Sequence, residues 1–220
     1  MALNKLKFNS LNVTPTAGKT VGFNSSANGL EATLSGGAMV FIKKLTASSS
    51  GTLSFVDGSS DVVLDNTYKE YLFLFTNIHP GTDNSAFVFQ GNAAGGSGYN
   101  ETITSTNFRA FHAEDDSAQT VSYIGGNDQA QGTSFQRLTS NVNAANDSGA
   151  CGFLHLFNPS STTFVKHFIA RVGYEEQEES IQLDMFTSGY FNTTSAIDEI
   201  QFKFESGNID AGTITLYGIN

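Results

Sequence analysis

The sequence has no tryptophan, one cysteine, three prolines and only 11 lysines and arginines in 220 residues. Each scarcity closes a route. The single cysteine, Cys151, excludes an intrachain disulfide framework and any zinc site built on several thiolates, and it reads as a small buried hydrophobe. Eleven basic residues against 21 acidic ones give a formal net charge of -10. Such a chain repels a phosphate backbone instead of releasing counterions from it, so nucleic acid is not an expected partner. No apolar run approaches the roughly 18 residues that cross a bilayer as a helix, and the opening Met1-Ala2-Leu3-Asn4-Lys5-Leu6-Lys7-Phe8 is too polar for the apolar stretch of a signal peptide. Folding in a cytoplasm, without a membrane partner, is the expectation. Helical periodicity is missing as well: Glu175 to Glu179 comes nearest to a helical patch, and a short turn fits it equally well.

What is present is glycine (22 residues), phenylalanine (19 residues) and many Ser, Thr and Asn. That mixture suits short strands joined by polar turns, around a core rich in phenylalanine. A chain of this length forms one sizeable core. Twelve short apolar runs are separated by turn-formers from residue 38 onward: 38–45, 52–56, 68–76, 86–90, 107–113, 120–124, 134–138, 151–157, 162–172, 181–187, 199–204 and 212–217. Their spacing signals antiparallel β structure. Between them lie turn pairs such as Asp57-Gly58, Pro80-Gly81, Asn158-Pro159 and Gly207-Asn208. Strict alternation at Phe202 and Phe204 predicts a half-exposed strand with both rings inward and Lys203 in water. The run Tyr71 to Phe75 is apolar on both parities and predicts a strand buried on both faces. No fixed-period repeat is found, which disfavours a solenoid or propeller. The expected fold is all-β, an antiparallel two-sheet sandwich over residues 38–220 with an extended N-terminal arm over residues 1–37.

That arm carries only scattered apolar positions. It cannot build a core of its own, so it lies along the sandwich, supplies an edge strand to a neighbour, or stays mobile until assembly. Leu3, Leu6, Phe8, Val21 and Phe23 are its candidate attachment anchors.

Residues with catalytic or ligating chemistry are present without the patterns that chemistry needs. His79, His112, His155 and His167 show no close ligand spacing; His155 and His167 fall on neighbouring predicted strands and could meet across a sheet. The acidic runs Glu114-Asp115-Asp116 and Glu175 to Glu179 read as solvated faces, since adjacent strand residues point to opposite sides and do not converge as a glycosidase pair must. Asp57, Asp61 and Asp65 share a polar turn of the kind that can hold calcium, but their spacing departs from an EF-hand. Tyr99, Tyr123, Tyr174 and Tyr190 could stack on sugar rings if exposed. No catalytic residue, metal or cofactor is assigned.

The segment Ile197-Asp-Glu-Ile-Gln-Phe-Lys-Phe-Glu-Ser-Gly-Asn-Ile-Asp-Ala-Gly-Thr-Ile-Thr-Leu-Tyr-Gly-Ile219 resembles the closing block of many structural proteins of cyanophages and other marine tailed phages, where a G-N-I-x-x-G-x-I-x-L-Y-G ending recurs. Tyr71-Leu-Phe-Leu-Phe-Thr-Asn-Ile-His-Pro-Gly-Thr-Asp83 and Phe87-Val-Phe-Gln90 are similar to an earlier block of the same proteins, and together the resemblance covers roughly residues 68–220. Read physically, the ending is a β-hairpin with Ile200, Phe202 and Phe204 in the core and Ile214, Leu216 and Tyr217 leading the return strand. The resemblance implies a virion component with a jelly-roll or lectin-like sandwich, as a capsid decoration or a tail or fibre component; the acidic balance suits the particle exterior, and with no catalytic pattern a non-enzymatic protein assembled in the host cytoplasm is expected. Its implied partners are other virion proteins, major capsid or tail proteins, and further copies of itself, a trimer being the expected closed ring. The alternative is a carbohydrate- or receptor-binding adhesin module at a fibre tip, recognising a host surface glycan.

Overall fold

A computed structural model describes residues 20–23, 26, 28–33, 38–176 and 180–220. The chain divides into two compact units, with the boundary between Ala38 and Met39. In the first unit, β1 (Thr20–Phe23) and β2 (Leu30–Thr33) form an antiparallel ribbon in which Phe23 pairs with Leu30. The second unit carries β3 (Met39–Thr46), β4 (Leu53–Val56), β5 (Glu70–Pro80), β6 (Phe87–Ala93), β7 (Ile103–Ala113), β8 (Gln119–Tyr123), β9 (Gln136–Arg137), β10 (Ala150–Phe157), β11 (Lys166–Glu175), β12 (Ile181–Phe191), β13 (Ile197–Phe204) and β14 (Ile209–Ile219). No helix occurs among the described residues. Each of the twelve apolar runs falls on one of these twelve strands. Glu175 ends β11 and Glu176 bridges to Val142, so this end of the acidic run is extended, not helical.

The strands of the second unit build an eight-stranded antiparallel sheet, in the order β3-β14-β5-β10-β11-β12-β7-β8, and a four-stranded one, in the order β4-β13-β6-β9. The two face each other across a core of large side chains, so the fold is an all-β two-sheet sandwich. Nine phenylalanines are buried in it, and Phe202 on β13 is the hub. Its ring centroid lies 5.4 Å from Phe73 and 5.3 Å from Phe75 on β5, 5.8 Å from Phe87 and 6.1 Å from Phe89 on β6, and 6.3 Å from Phe55 on β4. Offset and edge-on rings at such spacings gain attraction beyond their buried area.

The last two strands depart from the expected hairpin. β13 pairs with β4 and β6, whereas β14 pairs with β3 and β5, so they belong to different sheets and form an arch over the core. The reason lies in their inward faces: Ile200, Phe202 and Phe204 on one strand and Ile214 and Leu216 on the other are all fully or nearly fully buried, and both sets reach the same core only if the strands stack. Just past the crossing, Gly212 sits where β14 shifts its register against β5. It holds a φ of 111° where a β-carbon would run into the Asn77 carbonyl, a position open only to glycine.

Burial on both faces belongs to β6, not β5. Val88, Gln90 and Asn92 on its outer side are covered, and the Gln90 amide donates to the carbonyls of Glu101, Thr133 and Ser134. On β5, Tyr71, Phe73 and Phe75 are buried while Leu72 and Leu74 stay half-exposed.

Four strands cannot cover eight. The inner side of β7, β12 and β11 is closed by the connection from Ile124 to Gly149, which lies on it through polar contacts. Gln136 accepts from Ser105 Oγ at 2.6 Å and donates to the Asn127 carbonyl at 2.7 Å. Thr187 Oγ1, which accepts from Asn107 within the sheet at 2.7 Å, donates to the Arg137 carbonyl at 3.4 Å, and the Ser140 amide donates to the Tyr174 hydroxyl at 2.9 Å. Lys166, fully buried at the start of β11, donates from Nζ to the Phe164 and Thr193 carbonyls at 2.8 and 3.1 Å. Desolvation pushes its ammonium pKa down, against the opposing pull of Glu101.

Two outcomes follow from this core. Phe202→Ala removes the ring shared by five neighbours and should cost about 3–5 kcal/mol of unfolding free energy, measured by urea titration; a loss under about 1 kcal/mol would deny Phe202 its central place. Burial also pushes the phenols of Tyr71 and Tyr174 upward. Their folded pKa values exceed the ordinary value of about 10, so the stability they contribute is intact below that pH and is lost as pH rises beyond it. The unfolding midpoint should fall at strongly alkaline pH, and Tyr71→Phe with Tyr174→Phe should flatten that fall.

Candidate assembly surface

On each strand of the large sheet, the residues that alternate with the core-facing ones point to its other side. The register lines them up in rows. One row runs Phe41, Tyr217, Leu72, His155 and Ile169 across β3, β14, β5, β10 and β11. The next runs Leu74, Phe153, Arg171, Phe186, Phe108 and Tyr123 from β5 to β8. Phe157 and Tyr190 flank these on one side, Asp184 and Val121 on the other. No layer covers this face within the described part of the unit: Phe41 is 59% exposed, Ile169 49% and Val121 71%.

The face is internally ordered. Phe108 and Phe186 stack at 4.8 Å with planes 3° apart, and the Arg171 guanidinium sits 4.8 Å from the other side of the Phe186 ring. Arg171 is held there by Asp184, with Nε 3.0 Å from both carboxylate oxygens and Nη2 2.5 Å from Oδ2; the contact raises the guanidinium pKa further. Glu70 lies 3.1 Å from His155 Nε2, and the His155 ring packs on Phe157 at 4.3 Å. Phe41 meets Tyr217 edge-on at 6.1 Å. At the margin, β8 pairs only with β7 and exposes Val121 and Tyr123, the Tyr123 hydroxyl donating to Asp128.

The residues singled out in the sequence are dispersed. Leu3, Leu6 and Phe8 lie outside the described residues. Val21 and Phe23 are on β1, 41% and 75% exposed, on one side of the ribbon. Cys151 is exposed on the outward side of β10, its Sγ accepting from the Asn77 amide at 3.2 Å, so the reading of a buried hydrophobe is corrected: its parity on the strand matches Phe153, not Leu154. Tyr174 is buried and cannot meet a sugar, Tyr99 is half-buried and donates to Glu199 at 2.8 Å, and Tyr123 and Tyr190 are on the outward face. His155 and His167 share that face but engage Glu70 and Tyr190 respectively, not each other.

The acidic groups serve the backbone. Asp57 accepts from the Leu64 amide at 2.8 Å and Asp65 from the Thr67 amide at 2.7 Å. Asp115 accepts from the Ser117 amide at 3.0 Å, and the Ser117 hydroxyl together with that amide holds its carboxyl below the usual range. Glu176 accepts from Asn141 at 2.8 Å and approaches Arg109 at 3.9 Å. Glu178 and Glu179 lie outside the described residues. Among the described residues no three His, Cys, Asp or Glu side chains gather as a metal site, and no helix is long and apolar enough to cross a membrane. The polar depression beside Asn77, His79, Asp147 and Asp210 has its imidazole bonded to the Ala145 carbonyl at 3.0 Å.

Compared with protein-family models, curated proteins and solved structures, the chain matches none.

If Asp57 and Asp65 act as loop caps, calcium and a chelator should leave the thermal midpoint unchanged, while Asp57→Ala should cost about 1 kcal/mol by freeing the Leu64 amide. A calcium-dependent rise in the midpoint would return these acids to a metal.

Proposed function

We propose that this chain is a non-enzymatic structural protein of a tailed-bacteriophage virion, on the particle exterior as a capsid decoration or a tail or fibre component, which works by assembling with copies of itself and with other virion proteins. The observation that carries the proposal is the wide aromatic face of the eight-stranded sheet, uncovered within its unit: apolar surface of that extent on a soluble chain marks a contact surface. The similarity of residues 71–90 and 197–219 to structural proteins of marine tailed phages supplies the setting. Residues 1–37 are the proposed attachment segment, since an extended segment gains affinity from backbone pairing and alternate side chains, with Leu3, Leu6, Phe8, Val21 and Phe23 as anchors. The exposure of Val21 and Phe23 suits that role.

A second reading, a glycan-binding adhesin at a fibre tip, draws on the outward rings, among them Tyr123 and Tyr190. Retention on immobilised host-envelope glycans would favour it; indifference to all of them would count against it.

The deciding experiment is to image and sequence purified particles. The polypeptide should be present at a repeated position, and its absence from particles would remove the assignment. Deletion of residues 1–37 should reduce incorporation while the sandwich remains folded by circular dichroism; undiminished incorporation would move the attachment point elsewhere.

A further inference from the structure

We propose that the outward face of the eight-stranded sheet is where two copies of this chain pair, face to face about a twofold axis. The idea deepens the self-assembly in the proposed function and rests on that reading for its place in a particle. Three observations select a second copy as the occupant.

The first is area. Eight strands about 4.8 Å apart span roughly 34 Å, and four rows of outward residues about 6.8 Å apart span roughly 27 Å with their side chains, giving a face on the order of 900 Å². A stable protein pair needs about 800 Å² from each partner. A single sugar chain or a peptide would fill a fraction of it.

The second is charge. The whole chain carries -10, so two copies repel over most of their surfaces. On the outward face the formal charges come close to cancelling: Lys44, opposite Thr215 at the β3 margin, and Arg171 stand against Glu70, Asp184 and Glu175, which leaves a single negative charge. A basic partner would be drawn to the surfaces that hold the acidic excess. This balanced face is where an acidic protein can meet itself. At its centre Arg171 is already matched with Asp184, so covering that pair leaves neither charge stranded in a dry contact.

The third is preorganisation. The Arg171, Phe186 and Phe108 stack fixes the centre of the face before any partner arrives, so little side-chain freedom remains to be lost on contact. Sheets pack face to face about 10 Å apart in ordinary sandwiches, and the pair repeats that contact between chains. A face that meets its own copy is satisfied by two members, so the expected oligomer is a pair and not a ring of three.

Sedimentation of the full chain at micromolar concentration should give twice the chain mass of 23.5 kDa. Ile169→Glu and Phe186→Glu, each made alone, should weaken pairing about a hundredfold or more by placing an unmatched charge in the contact, with circular dichroism and the cooperative unfolding transition retained. Lys203→Glu, on the four-stranded sheet, should leave the pair intact. A monomeric parent chain, a three-copy mass, a pair that survives both glutamate substitutions, or a host glycan held by the parent chain and lost on Ile169→Glu would each overturn the proposal. Because pairing is read on isolated protein, its failure leaves the virion assignment standing, and absence from particles leaves the pair standing.

Discussion

The ring of Phe202 is the contact on which the sandwich depends. It sits on the central part of the small sheet and touches rings from β4 and β6 beside it and from β5 across the core, so one side chain joins both layers. With that anchor in place, the mismatch between four strands and eight becomes the organising constraint. The small sheet covers only part of the large one, and the segment 124–149 must close the rest. It does so with Leu138 and Val142 and with amides and hydroxyls in place of rings, and polar groups such as those of Gln136 are tolerable there because specific partners engage them. Directed hydrogen bonds therefore add to dispersion in this part of the interior.

Both halves press on the same side of the large sheet, and the opposite side is left to the surroundings. There the rings are held in a fixed pattern by neighbours in the sheet, including a cation over a ring and its carboxylate. A patterned, rigid apolar surface differs from a loose one: it favours partners that match its relief and penalises those that do not. The acidic excess on the rest of the chain works in the same direction, discouraging contact through any other side.

Much of the fold was legible in the sequence, because short apolar runs bounded by Gly, Pro, Asn and Asp carry strand positions locally. Phe202 and Phe204 are inward as their alternation requires, and Lys203 rests over the Phe135 ring at 4.3 Å. Pairing was not legible. A strand, a turn and a strand read alike as a hairpin or as an arch, and only the shared core of Ile200, Phe202, Ile214 and Leu216 separates them. The run Tyr71 to Phe75 shows the same limit, since leucines on the second parity mean either a covering layer or an exposed apolar face. The outward rows were hidden for a related reason: Leu74, Phe153, Phe186, Phe108 and Tyr123 are far apart in the chain and become neighbours only through register.

The arch at the C-terminal end has a bearing on biosynthesis. β14 is inserted between β3 and β5, and β13 between β4 and β6, so the two strands of the sandwich that come latest along the chain are interior members of its sheets. Until they emerge from the ribosome, the earlier strands lack their hydrogen-bonding neighbours and the hub of the core, and sheets closed by such distant pairings form slowly. Translation arrested before β13 would leave β4 and β6 unjoined and the core without Phe202, so such a product could not close the sandwich.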